Sequence, residues 1–141
     1  MSTPPDLIAA VRGWVAKAEE DYDVASNEAK RGTATPCGTV CFHAQQAVEK
    51  YLKALLILRS VEFPKSHDLS VICDLLPADL GIRPERADLS RASRFAVETR
   101  YPDQPESFGM ADATWAVSFA ERLRSEIRAK LPPESLASGP R

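Results

Sequence analysis

Four polar side chains, His43, Gln46, Lys50 and Lys53, recur at steps of three, four and three residues. On a helix turning 100° per residue they fall within about 80° of one another and line one flank. An imidazole, an amide and two ammonium groups on one flank could hold a phosphate and hydrogen-bond a base. The same spacing fits an ordinary solvated flank, with Glu49 pairing to Lys53 four residues on. His67 is the second of only two histidines, so side-chain imidazole chemistry is confined to His43 and His67.

Other residues of reactive type group less well. Arg86, Arg91 and Arg94, together with Arg83, share the outer face of a further helical segment. They read either as a soluble face or as an anion or nucleic-acid patch. Cys37 and Cys41 could share a helical face, but His43 lies about 200° from Cys41, so three metal ligands do not converge. The three cysteines, Cys37, Cys41 and Cys73, read as small buried thiols, and no metal or cofactor is implied. The segment from Gly32 to Thr39 differs from a phosphate loop. Five residues separate its glycines, no lysine follows Gly38, and no strand pattern precedes it.

These groups must be positioned by helices. From Asp6 to about Arg31 the apolar residues Val11, Trp14, Val15, Ala18, Tyr22 and Ala25 form one stripe, with Pro4 and Pro5 before it and Gly32 after it. A second helix is predicted from about Gly38 to Arg59, with Val40, Ala44, Ala47, Val48, Tyr51, Leu55 and Leu58 inward. Phe42, Leu56 and Ile57 lie off that stripe and are expected at the surface, where they would form a second contact face such as a dimer interface. A short helix is expected over Asp68–Leu76, capped by Ser66 or Asp68. Pro84 suits the first turn of a helix running to about Thr99, and the last long helix covers about Met110 to Lys130. No segment alternates as a strand does. The expected fold is all-α, an antiparallel up-and-down four-helix bundle with an additional short helix. The bundle would occupy residues 1–131 and a disordered tail 132–141.

Composition narrows the class of function. A chain of 141 residues with 44% hydrophobic and 27% charged residues fits one globular domain, and no apolar run is long enough to span a membrane. The start lacks the basic and apolar regions of a signal peptide, which points to the cytoplasm. A net charge of −2 argues against bulk binding to a phosphate backbone, so any anion site must be local.

The run from Phe42 through His43, Gln46 and Lys50 to Leu56 resembles the signature helix of HEPN domains, the higher eukaryotes and prokaryotes nucleotide-binding family. Pro64-Lys65-Ser66-His67-Asp68-Leu69 resembles the family's histidine-aspartate-leucine segment, and Thr99-Arg100-Tyr101-Pro102-Asp103 its arginine-tyrosine-proline segment. The resemblance implies a helical bundle, often a homodimer, that associates with nucleotide or RNA. It also implies a minimal nucleotidyltransferase as partner in a two-component, toxin-antitoxin-like system. Carried over to this chain, it points to His43, Gln46, Lys50, Lys53, His67, Arg100 and Tyr101 as the nucleotide- or RNA-binding residues. Lys50, Lys53 and Arg100 would neutralise phosphate and Tyr101 would stack on a base. Gln46 would bond a base edge, and His43 or His67 a hydroxyl or phosphate. Some members are metal-independent ribonucleases marked by an arginine, four to six residues, then a histidine. Here seven residues separate Arg59 from His67, so that catalytic pair does not carry over. A ribonuclease with a divergent site and a non-catalytic dimeric adaptor stand as the alternatives.

Overall fold

The computed structural model describes residues 3–98 and 108–136. Among the described residues four long helices, α1 (Pro5–Glu28), α2 (Cys37–Leu58), α4 (Arg86–Glu98) and α5 (Met110–Arg128), carry the fold. Two short ones, α3 (Leu69–Asp74) and α6 (Pro133–Leu136), complete it, and no strand occurs among the described residues. The fold is all-α, as the periodicity predicts. Among the described residues no helix is long and apolar enough to cross a membrane.

Helix boundaries follow local chemistry. Pro5 occupies the first turn of α1, where its missing N–H is no loss. Asp68 caps α3 by accepting from the Ser70 N–H at 2.9 Å, while the Ser66 hydroxyl accepts from the Asp68 N–H at 3.1 Å. Both expected capping residues are therefore used, one inside the other. The Ser93 hydroxyl on α4 accepts from the Leu69 N–H at 2.9 Å and fastens α3 to α4.

Helix α2 is the centre of the bundle. It packs against α1, α3, α4 and α5, so its surroundings are protein on nearly every side. Val40, Val48, Tyr51 and Leu55 are buried as expected, Leu52 is buried off the expected stripe, and Ala44, Ala47 and Ala54 allow close approach. Leu56, expected at the surface, is fully buried, and Ile57 packs half-buried against the core. Phe42 is half-buried with its ring edge-on to His43. A single inner stripe describes a helix with one packed face, and α2 has several.

The expected tail also departs from the sequence reading. Residues 133–136 form α6, which packs on α1, and Ser135 is buried. Arg12 of α1 donates to the Glu134 carbonyl from Nε at 3.1 Å and from its terminal nitrogen at 2.6 Å. Pro133 begins the turn instead of preventing it, and Leu136 joins the core. Residues 137–141 lie outside the described residues.

Helix α2 ends in a left-handed residue that is not glycine. Ser60 has φ 55°, the Val61 N–H reaches the Leu56 carbonyl at 2.9 Å, and the Ser60 N–H reaches the Ile57 carbonyl at 3.0 Å. This is the Schellman pairing, which glycine normally closes because a Cβ is disfavoured there. Ser60→Gly is expected to raise the unfolding free energy by about 0.5–1 kcal/mol, read from the midpoint of urea denaturation. A lowered midpoint would contradict this account of the turn.

Candidate functional site: a polar seam on the central helix

The flank predicted on α2 is a seam of buried charge, not a solvated face. Asp21 of α1, only 8% exposed, accepts from His43 Nδ1 at 2.8 Å and from Lys50 Nζ at 2.6 Å. One turn further along, Glu49 (3% exposed) takes three donors. Lys53 Nζ lies at 3.0 Å, Gln45 Nε2 at 3.1 Å and His67 Nδ1 at 2.9 Å. Gln45 also donates to the His67 carbonyl at 3.2 Å, and its Oε1 accepts from Gln46 Nε2 at 2.6 Å. Among the described residues no buried side-chain polar atom lacks a partner. Burial of these charges is tolerable because each carboxylate is paired and saturated with donors.

The two histidines share one arrangement. A carboxylate only accepts, so each Nδ1 must carry the proton and donate. That fixes the tautomer of the neutral ring and leaves Nε2 for external chemistry. His43 keeps 29% of its side chain exposed and His67 46%, so both reach the rim of the seam. Lys50, at 25%, reaches it as well. Gln46 and Lys53 do not. Lys53 is buried, with its ammonium 5.7 Å from the Trp14 ring centroid and 5.5 Å from that of Phe63, which meet edge-on. The predicted set therefore divides. His43, Lys50 and His67 form the accessible edge, while Gln46 and Lys53 lie in the buried layer behind it. Arg100 and Tyr101 lie outside the described residues.

Sequence reasoning missed the partners that organise the seam, Asp21 and Gln45, and a second cluster between α1 and α5. Asp21 follows the buried Ala18 at a three-residue step, which is a usable signal once a cation on a neighbouring helix is suspected. In the second cluster Glu19 accepts from Arg124 at 2.9 and 2.6 Å and from Arg128 at 2.8 Å. Arg128 also donates to the Tyr51 hydroxyl at 3.1 Å, and Arg124 stacks 4.9 Å from the Tyr22 ring centroid. Burial drives the Tyr51 hydroxyl up to about 12. Burial also acts to raise the Glu19 carboxyl, but the hydrogen bond and charge of Arg124, with the charge of Arg128, outweigh it and hold Glu19 below its ordinary value.

The arginines of α4 are not one open patch. Arg91 stacks 4.2 Å from the Trp115 ring centroid and pairs with Asp112 at 3.3 Å, while Arg86 pairs with Asp74 at 2.8 Å. Trp115 in turn stacks on Phe119 at 5.0 Å. Cys41 is fully buried, and burial, with Asp112 and Cys37 nearby, pushes its thiol up to about 12.

The molecule is thus an all-α bundle whose central helix carries a saturated polar seam, with two carboxylate-anchored histidines at its rim. The chain belongs to the HEPN domain family, whose profile matches residues 11–130. Its structure is similar to that of TT1696 from Thermus thermophilus, with 25% identity and a TM-score of 0.74 over 86% of this chain and 98% of that one. It is also similar to ST0689, an archaeal HEPN homologue, with 25% identity and a TM-score of 0.62 over 85% of this chain and 96% of that one. No curated protein matches the chain.

Glu49→Ala leaves the Lys53 ammonium buried without its carboxylate. The expected loss is about 3–4 kcal/mol in urea unfolding, with Glu49→Gln milder because one oxygen acceptor remains. Glu19 titrates below its unfolded value, so its contribution is complete above that value and disappears as pH falls through the lower folded one. The stability gap between wild type and Glu19→Gln is therefore expected to be constant from pH 6 to about 5 and to close in more acidic buffer. A gap that persists unchanged at low pH would remove Glu19 from the acid limb.

Proposed function

We propose that this HEPN-domain protein binds nucleotide or RNA at the rim of the α2 seam. His43 and His67 would present Nε2 to a hydroxyl or phosphate, and Lys50 would supply the positive charge. The observation that carries this reading is the pair of histidines, each oriented through Nδ1 by a buried carboxylate on or beside the same helix. Lys53 and Gln46 act from behind, holding Glu49 and Gln45 in place. Arg100 and Tyr101 belong to the same proposal as phosphate and base contacts. Asp21 already neutralises Lys50, which predicts weak attraction for a lone phosphate and a need for additional contacts from the rest of the ligand. The family resemblance supports two further parts of the reading. The chain would work as a homodimer, using the half-exposed Phe42 and Ile57, and a minimal nucleotidyltransferase would be its partner.

A second reading, a metal-independent ribonuclease with a divergent site, draws on the same oriented imidazoles. A histidine whose Nδ1–H is held by a carboxylate has Nε2 oriented for general-base work.

Titration calorimetry with ATP and other nucleotides, and with a short single-stranded RNA, checks the binding reading. Binding at or below millimolar concentration is expected, weakened about tenfold or more by His43→Ala or Lys50→Ala. Unchanged affinity in both variants would sink it. Incubating the same protein with labelled RNA in chelator separates the ribonuclease: cleavage lost in His43→Ala or His67→Ala supports it, and intact RNA rejects it.

A further inference from the structure

A second cleft lies beyond the other end of α3. His67 stands just before the N-terminal cap of α3, whereas Cys73 and Asp74 close its last turn and line a cavity of about 300 Å³ with Arg83 and Arg86. Ile82 and Leu89 lie beneath it, both almost completely buried, and the half-buried Leu76, Pro77 and Pro84 supply the apolar surface of its wall.

The rim of this cleft is held in place. The 3₁₀ turn Ala78–Leu80 ends at Gly81, whose φ of 70° suits glycine and reverses the chain. Leu80 and Ile82 are buried on either side of Gly81. Asp79 in that turn accepts two hydrogen bonds of 3.0 Å from Arg59, fastening it to the end of α2. Helix α4 begins at Arg86, two residues later than the expected first-turn place of Pro84, so Arg83 and Pro84 precede the helix and line the cleft wall.

Charge in the cleft is asymmetric. Arg86 is held by Asp74, but Arg83 has no carboxylate partner among the described residues. The N-terminus of α4, 13 residues long, begins at Arg86, where Glu85 and Asp88 offset its positive end. Two guanidinium groups against one carboxylate leave the lining of the cleft with one excess positive charge.

We propose that this cleft binds a small organic oxyanion, a carboxylate or phosphate monoester carried on a compact apolar body. The apolar body packs on Leu76, Pro77 and Pro84, and the oxyanion bridges Arg83 and Arg86. This site is separate from the α2 seam and does not depend on the function assigned there.

Cys73 reports occupancy, because its half-buried thiol lines the same cavity. The full chain is alkylated with neutral iodoacetamide in the presence of phenyl phosphate, benzoate or benzyl alcohol, and each cysteine is followed by mass spectrometry. Saturable protection of Cys73 by phenyl phosphate or benzoate at millimolar concentration is expected, with Cys37 unaffected. The arm that protects more strongly identifies phosphate or carboxylate as the preferred group. Arg83→Ala is expected to raise the midpoint about tenfold, and Asp74→Asn, which frees Arg86, to lower it. His43→Ala with Lys50→Ala is expected to leave Cys73 protection unchanged, so this result stands or fails apart from the seam. Equal protection by benzyl alcohol, equal slowing of Cys37, loss of protection in the seam variant, or no effect of Arg83→Ala would overturn the proposal.

Discussion

A carboxylate on the central helix of a bundle has nowhere to find water, and Glu49 sets the terms on which the rest of this structure is arranged. Its two oxygens are shared among Lys53, Gln45 and His67, drawn from α2 itself and from the loop leading into α3. An unpaired buried charge would cost several kcal/mol, so the loop must deliver His67 and the helix must deliver Lys53 to the same place. Trp14 of α1 and Phe63 of the loop then close over the lysine. One buried acid therefore ties α1, α2 and the approach to α3 into a single unit.

The same requirement explains why the accessible edge is narrow. Asp21 and Glu49 absorb the charges of Lys50 and Lys53, so the flank does not attract anions as a row of free lysines would. What reaches the rim is mainly two imidazoles of defined tautomer and one neutralised ammonium. That is a surface suited to directed hydrogen bonds more than to long-range attraction, in keeping with a net charge of −2.

Much of the architecture was legible. The four long helices fall within a few residues of their periodic patterns, the short helix begins at its expected cap, and the residues resembling a HEPN signature do belong to a HEPN domain. The departures share one cause. An inner stripe assumes one buried face, but α2 is enclosed by four neighbours, so Leu56, Gln46 and Lys53 are buried despite lying off the stripe. At the C-terminal end, Pro132 and Pro133 look like breakers, yet a proline is at home in a first turn, and Arg12 supplies the partner that α6 needs.

By itself the sequence determined which segments are helical, where they stop and which residue types crowd one flank of α2, because those properties depend on neighbours three or four positions away. Only the tertiary structure decided which charges meet. Asp21 reaches His43 and Lys50 across 22 and 29 residues, and Glu19 reaches Arg124 across 105. No local periodicity encodes such distances along the chain. They are settled when helices pack, since each buried charge must then find a partner or the packing fails.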